Sequence, residues 1–277
     1  MLALIDADIL LYEIGSYTDD EGHPLSWPLC KSRADAKILK IMDSAGCDDY
    51  HLFLTGNNNF RIKEGTIKPY KGHRVSPKPP NHANLKKYFS ESTNFKGKVT
   101  TSDDYEADDA LSIKQYKELY WDVTTDDVEE TYSVRLHGGN TVLCSRDKDL
   151  NMVPGLHYSW GSGKQKEKEV WLITEEEGNH WFFTQLLTGD STDNIPGLYR
   201  VGAVAAKKLL SGLTEPLSLY SVVQHEYEVR FGSYWKLFMH ENARLLWMLQ
   251  TEDDDVRRWL DIMEDTRQLK LITEEQF

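Results

Sequence analysis

LALIDADILLY, residues 2–12, is the stretch that decides how this chain reads. Four apolar residues run without a break into Asp6, Asp8 follows two places on, and apolar residues then resume. A short unbroken apolar run predicts a strand buried on both faces. The aspartates predict a sharp turn, and the residues beyond it a helix. Strand then helix is the opening of an α/β unit, and such folds gather their ligands at the carboxyl ends of the strands. Asp6 is therefore expected to face a crevice rather than open water. Asp8 reads either as a helix cap or as a member of the same site.

Outward from this stretch, acids recur in three more clusters: EADDA (106–110), SRDKDL (145–150) and TGDSTDNIPG (188–197). Each follows an apolar run or opens a helix. A fold that unites the clusters concentrates carboxylates, whose mutual repulsion raises their pKa values and destabilises the folded state. Hard divalent cations with oxygen ligands relieve this, and a pair of them is the apparatus of phosphodiester hydrolysis. Glu106 and Asp109 lie three apart and share a helical face, with Asp108 to one side. Asp147 and Asp149 point the same way if the chain is extended. Lys148 between them is either structural or a phosphate contact. Asp190 and Asp193 precede a glycine-bounded turn.

The remaining elements follow the same alternation. A helix-spaced segment at 34–45 leads to a strand, YHLFLTG (50–56). ANLKKYF (83–89) suits a short helix, and another helix opens near Glu106, with Ser102 and Asp103 upstream as candidate caps. DVTTDDVEET (122–131) reads as an exposed acidic loop, NTVLCSRDKDL (140–150) as a buried strand ending in acids. LHYSW and EVWLIT read as strands joined by the hairpin loop GSGKQKEKE. Together these predict an α/β domain with a mainly parallel sheet over residues 1–180 and a mostly helical region over 181–277, with an acidic helical tail.

Net charge is −13, but residues 61–98 hold ten Lys or Arg and two acids, which leaves the rest of the chain at −21. Screening confines each field to about 8–10 Å, so this stretch can attract phosphates within an acidic protein. Its Gly and Pro content predicts a loop or arch over 60–98. Arg61, Lys63, Tyr70, Lys71 and Arg74 mix cations suited to phosphates with an aromatic suited to stacking on an unpaired base. GLYRVG followed by AVAAKKLL has the form of a helix–hairpin–helix. There Gly197 and Gly202 let backbone N–H groups approach a phosphate, with Lys207 and Lys208 on the next helix. An ordinary helix pair is the plainer alternative. Three widely spaced cysteines suit a reduced cytosolic protein, and no apolar run approaches the ~18 residues of a membrane span.

The order of motifs — LIDAD, FR…YKGHR, YEADDAL, SRDKDL, then GDSTDNIPG followed by VG — resembles the FEN-like 5′-nuclease family over roughly residues 1–212. The resemblance implies a PIN-like α/β domain with a helix–three-turn–helix subdomain. It implies cleavage of DNA at 5′ ends or flaps, or of RNA in RNA–DNA hybrids, with two Mg²⁺ or Mn²⁺ ions. Matched by motif, Asp6, Glu106, Asp108, Asp109, Asp147, Asp149, Asp190 and Asp193 are the metal-site carboxylates. Asp6, Glu106, Asp108 and Asp147 serve the tighter ion. Arg61, Lys71 and Arg74 match basic residues near the scissile phosphate, and the GLYRVG turn matches a duplex-binding hairpin that often carries K⁺. A monomer in a bacterial or phage-infected cytoplasm is the implied setting. One departure stands out: many relatives carry an acid shortly before FR, where this chain has Thr55 and Gly56. Two other readings compete. A haloacid-dehalogenase-type phosphatase shares the strand followed by D-x-D but leaves EADDA and SRDKDL without a role. A DNA-junction-binding protein with impaired catalysis would account for the missing acid.

Overall fold

The computed structural model describes residues 1–126 and 131–274, and side chains within these except for 121–138 and 269–274. Residue contacts divide the chain into two units, one of residues 1–59 and 76–174, the other of residues 60–75 and the chain from 175 onward. Labels run in chain order across both.

In the first unit β1 (Leu2–Asp6) turns directly into α1 (Ala7–Gly15), and α2 (Trp27–Ser44) leads to β2 (Asp49–Thr55). The helix α3 (Phe60–Glu64) belongs to the second unit. Then come α4 (His82–Glu91), β3 (Val99–Ser102), α5 (Ala107–Lys117), β4 (Leu119–Asp126), β5 (Thr131–Gly139), β6 (Thr141–Cys144), β7 (Gly155–Ser159) and β8 (Lys168–Ile173). Six strands form one sheet in the order β3-β2-β1-β6-β7-β8. All neighbours are parallel except β7 and β8, which form the expected antiparallel hairpin. The apolar run of β1 is explained by its central place: Leu4 and Ile5 are wholly buried between β2 and β6. Cys30, Cys47 and Cys144 are buried and unpaired in disulfides.

This topology fixes the site. The chain runs from β1 to β2 to β3 on one side and resumes at β6 on the other, so β1 and β6 meet where the winding reverses. Ligands of open α/β sheets bind outside the strand ends at such a point. Asp6 ends β1, Thr55 ends β2, and Ser145 immediately follows β6.

Two expectations are corrected here. The acidic stretch 122–131 is not a loop throughout: β4 and β5 pair antiparallel, with Val123 opposite Val134 and Thr125 opposite Tyr132. β-branched and aromatic residues favour a ladder despite the acids beside them. Residues 127–130, the remainder of that expectation, lie outside the described residues. The basic stretch 60–98 is not one arch either. Residues 60–75 join the second unit, while α4 packs Leu85, Tyr88 and Phe89 into the core of the first. Spacings of three and four put these apolar residues on one helical face.

The second unit opens at α6 (Glu175–Thr188), whose three leading glutamates suit a helix N-terminus. Two short strands, β9 (Gly189–Asp190) and β10 (Ile195–Pro196), pair antiparallel before α7 (Ala203–Leu209). Three longer helices follow: α8 (Pro216–Phe231), α9 (Trp235–Leu246) and α10 (Val256–Glu274). Phe182, Leu186, Leu219, Val223, Tyr227, Met239 and Ala243 are fully buried among them. Tyr227 is satisfied there by donating to the Leu186 carbonyl at 2.7 Å.

Candidate functional site

The carboxyl edge of the first unit gathers acids, with Lys86 and Lys148 among them. Asp6 caps α1, accepting from the Ile9 amide at 3.3 Å, and its other oxygen accepts from the Ser145 hydroxyl at 2.8 Å. The same hydroxyl accepts from the Asp147 amide at 3.0 Å, so one serine ties the ends of β1 and β6 together. Burial, with Asp8 and Asp147 nearby, pushes the Asp6 carboxyl up to about 7 against the pull of Ser145. Asp8 is no helix cap. Its carboxylate accepts from the Thr55 amide at 3.2 and 3.3 Å, and burial raises its pKa, with Glu106 adding to the rise.

Thr55, the position of the missing acid, joins the site through its own atoms. Its carbonyl accepts from the Lys86 ammonium at 2.7 Å and its hydroxyl from the Ala107 amide at 2.9 Å, at the first turn of α5. Gly56 beside it is required by close approach, since a Cβ there would lie 2.6 Å from the Ser102 carbonyl oxygen. Neither Asp8 in this place nor Lys86 was assigned by motif. Lys86 could have been found only by knowing that α4 packs alongside α1.

Glu106 precedes α5, and Asp109 is wholly buried with its carboxylate on the Glu106 amide at 3.1 Å, a helix-capping contact. Asp108 is partly exposed and Asp147 exposed. Asp149 pairs with Lys148 at 2.9 Å, while its amide donates to Asp147. Behind this edge lies a buried hub absent from the motifs. Glu13 on α1 accepts from Trp160 at 2.8 Å, Tyr17 at 2.9 Å, Lys37 at 2.9 Å and Arg146 at 3.3 Å. Burial raises its pKa, but the bonds from Trp160, Lys37 and Tyr17 together hold it below the usual range.

Whether these residues suit a divalent ion is a question of donors and of arrangement. The donors are carboxylate oxygens, which hard cations prefer, and the upward shifts at Asp6 and Asp8 show burial and neighbouring acids outweighing the hydrogen bonds and the Lys86 charge that favour the ionised forms. Among the described residues no three acid, histidine or cysteine side chains converge as a ready-made cage. The set fits hard cations in chemistry, and ligand convergence is left to accompany binding.

The second unit gathers opposite charges instead. Tyr70 donates to Asp193 at 2.8 Å, Arg74 pairs with it at 2.5 Å and the Lys71 ammonium lies 3.6 Å away. Lys71 itself has φ +53°, a left-handed conformation rare outside glycine, and its amide donates to the Asp193 carbonyl at 2.9 Å. Gly72 is needed for space rather than for φ, because a Cβ would meet Pro69 at 2.7 Å. The far end of the segment is held by Glu241, which accepts from the amides of Thr66 at 2.7 Å and Ile67 at 2.6 Å. Asp190 is buried and accepts from the Thr192 amide at 2.7 Å.

Two predicted DNA contacts are corrected. Arg61 is completely buried; it donates to the Leu245 carbonyl at 2.8 Å and the Trp247 carbonyl at 2.6 Å, closing the C-terminal end of α9. Gly197 is held within the fold, since a Cβ would sit 2.1 Å from the backbone of Thr188. Gly202 differs again, with φ −93°, ψ −178° and open space around it. Lys63, Lys207 and Lys208 are exposed; so are Tyr199 and Arg200, not singled out by the motifs, on the turn between β10 and α7.

A mainly parallel sheet flanked by helices, with acids at its reversal point, is the arrangement of a PIN-like nuclease fold. More particularly, the chain has the FEN-like 5′-nuclease fold. A bacteriophage T5 flap endonuclease, solved as a pseudo-enzyme–product complex with DNA and metal ions, superposes with a TM-score of 0.57 at 13% identity, over 95% of this chain and 98% of that one. A T5 5′-exonuclease with bound divalent metal ions (zinc) gives 0.55 at 14% identity, over 95% and 92%. No protein-family profile matches the chain, and no curated protein does.

Proposed function

We propose that this chain is a divalent-metal-dependent 5′-nuclease that hydrolyses phosphodiesters of DNA near 5′ ends or flaps, and RNA in RNA–DNA hybrids. The observation that carries this reading is the cluster of Asp6, Asp8, Glu106 and Asp147 at the reversal point of a sheet with the FEN-like fold. A haloacid-dehalogenase phosphatase does not have this fold.

Asp6, Asp8, Glu106, Asp108 and Asp147 are the residues that would hold Mg²⁺ or Mn²⁺; Asp149, Asp190 and Asp193 retain that role on motif alone. Two such ions, when bound, supply a hydroxide at neutral pH and a charge clamp on the phosphate. Ser145 keeps Asp6 and Asp147 in register. Lys86 offsets part of the acid charge beside Asp8. Lys71 and Arg74, pre-oriented on Asp193, present cations to a phosphate. Tyr199, Arg200, Lys207 and Lys208, with the turn's amides and a K⁺ ion, hold a duplex without reading its bases. The protein acts as a monomer in the cytoplasm; among the described residues no helix is long and apolar enough to cross a membrane.

The test is digestion of 5′-labelled flap, nicked duplex and RNA–DNA hybrid in Mg²⁺, with an EDTA control. Cleavage from the labelled end that EDTA abolishes is the expected result. Robust cleavage in EDTA would overturn the mechanism, and tight junction binding without any cleavage would favour the impaired-catalysis alternative.

A further inference from the structure

The buried hub at Glu13 reaches the acid cluster through Arg146, which stands between Ser145 and Asp147. Glu13 lies on α1 seven residues beyond Asp6, which caps the same helix. At 1.5 Å per residue the two are about 10 Å apart along the helix. The loop after β6 is therefore bonded to α1 twice: Ser145 to Asp6 at 2.8 Å and Arg146 to Glu13 at 3.3 Å. A single bond lets a loop pivot. Two bonds, separated along a helix, fix its direction.

The guanidinium is held on its other side as well. Its Nε and Nη2 donate to Gln165 at 3.2 and 2.8 Å, and Gln165 exchanges two backbone bonds of 3.0 Å with Ser162. Glu13 is equally fixed. Trp160 beyond β7, Tyr17 beyond α1 and Lys37 on α2 all bond to it, and its side chain is only 6% exposed. Such a cluster is a poor device for stability. Taking charges out of water costs about as much as their attraction returns, and apolar residues of similar volume often do as well. What a planar guanidinium bonded along two edges does supply is direction.

We infer that Glu13 is a positioning residue for the nuclease site: acting through Arg146, it sets where Asp147 stands against Asp6, and with it the affinity of the acid cluster for a divalent cation. The inference rests on the nuclease reading and gives Glu13 and Arg146 no contact with DNA or ion. The Asp147 amide bonds the Ser145 hydroxyl at 3.0 Å, and the Asp147 carboxylate accepts from the Asp149 amide at 2.9 Å. A shift of the chain at Arg146 therefore carries Asp147 with it. Charge alone predicts the opposite effect. Arg146 is a cation beside acids, so its removal should tighten a divalent ion by relieving repulsion, whereas loss of alignment weakens it.

The test is calorimetric titration of the metal-free protein with Mn²⁺, without DNA. Arg146→Met should weaken binding about tenfold or more, the scale of losing a group that orients a metal ligand. Lys37→Met also takes a cation from Glu13 but leaves the Arg146 link in place, and should bind Mn²⁺ as the parent does. Arg146→Lys keeps the charge and replaces the fork by a point donor that cannot bridge Glu13 and Gln165 together, so its affinity should fall between. It is also the milder change if Arg146→Met fails to fold. Glu13→Gln should weaken Mn²⁺ in the parent and add nothing in Arg146→Met, since both cut one link. Unchanged or tighter binding in the arginine variants overturns the inference and keeps the nuclease reading. Equal weakening by Lys37→Met also overturns it, making the hub a structural cluster. Absence of any Mn²⁺ site in the parent discards the nuclease reading and the inference with it. Single-turnover cleavage is the second check. The Mg²⁺ concentration for half-maximal rate should rise in Arg146→Met, with the rate at saturating Mg²⁺ near the parent's. A lower saturated rate at an unchanged Mg²⁺ midpoint would overturn the inference by placing Arg146 at the DNA instead.

Discussion

The carboxyl edge of the first unit and the basic segment of the second handle charge in opposite ways. At the edge, acids of one sign share a partly buried space, and Asp6 and Asp8 are driven toward protonation. In the segment, Asp193 meets Tyr70, Lys71 and Arg74, and charges of both signs compensate one another within the fold. In the first arrangement burial and like charge outweigh the cations present at Asp6 and Asp8. The second is complete already, and a phosphate has to compete with Asp193 for it. An excess of acid is where bound cations would stabilise most; compensation marks a group held ready in place.

Breaking the acid-rich side should have the larger effect. Asp147→Ala removes an exposed acid from the proposed ion site and leaves the core untouched. Loss of a residue that merely orients a metal ligand typically costs 10–100-fold. Removing a ligand should exceed about a hundredfold in turnover, with unchanged circular dichroism and Tm. Near-normal turnover in single-turnover assays would take Asp147 out of the site. On the compensated side, Arg74→Ala and Lys71→Ala should lower the single-turnover rate at saturating DNA by about 10²-fold, the scale of losing one electrostatic stabiliser. If they reduce only affinity, the two cations hold DNA rather than act on the reacting phosphate. Asp193→Asn sharpens the contrast. Should Asp193 serve chiefly to orient the cations, the variant loses rate that added Mg²⁺ does not restore; restoration by Mg²⁺ would make it an ion ligand.

What the sequence disclosed follows the same division. The apolar run into Asp6 and the strand before SRDKDL could be read because a central parallel strand must be apolar on both faces, and the acids at its end have no packing role to confuse the signal. Asp8 stayed ambiguous, because a short-range pattern cannot show that its carboxylate turns to the Thr55 amide, 47 residues away. Arg61 misleads for a similar reason: beside Lys63 and Lys71 it looks like part of a surface patch, and only the fold reveals that it closes the end of α9. The hub at Glu13 draws on Tyr17, Lys37, Arg146 and Trp160, each unremarkable in its own segment.

Buried charge is poorly tolerated in the first unit, and acid should reveal this at His157. Its folded pKa is about 4, below the ordinary histidine value near 6.5, because burial disfavours the charged form. Between those pH values the unfolded chain binds a proton that the folded one does not, so stability is full above about 6.5 and is lost as pH falls toward 4. At about 1.4 kcal/mol per pH unit, His157 accounts for roughly 2 kcal/mol of loss between pH 6.5 and 5. In urea titrations, His157→Phe should lose about 1 kcal/mol at pH 7.5 from the missing bond to Val153, yet show a smaller drop between pH 7.5 and 5 than the parent. An unchanged drop would mean that other groups govern acid sensitivity.

The smallest expected effects separate two glycines of the second unit. Gly197 is packed against the Thr188 backbone, so Gly197→Ala must shift main chain rather than a flexible side-chain end, at a cost of about 1–3 kcal/mol. Gly202 has extended backbone, and no atom lies within 4 Å of where a Cβ would stand, so valine fits there without strain. Gly202→Val should therefore keep its Tm. Any loss must come from the branched side chain standing where a phosphate approaches the turn before α7. Affinity for duplex and for a short single strand, measured in Ca²⁺ in place of Mg²⁺, separates the cases. A several-fold loss for duplex alone keeps the turn as the duplex anchor, and the loss should shrink as salt rises and phosphate contacts weaken. Unchanged duplex affinity would move the anchor elsewhere in the second unit, with Lys207 and Lys208 the next cations to replace.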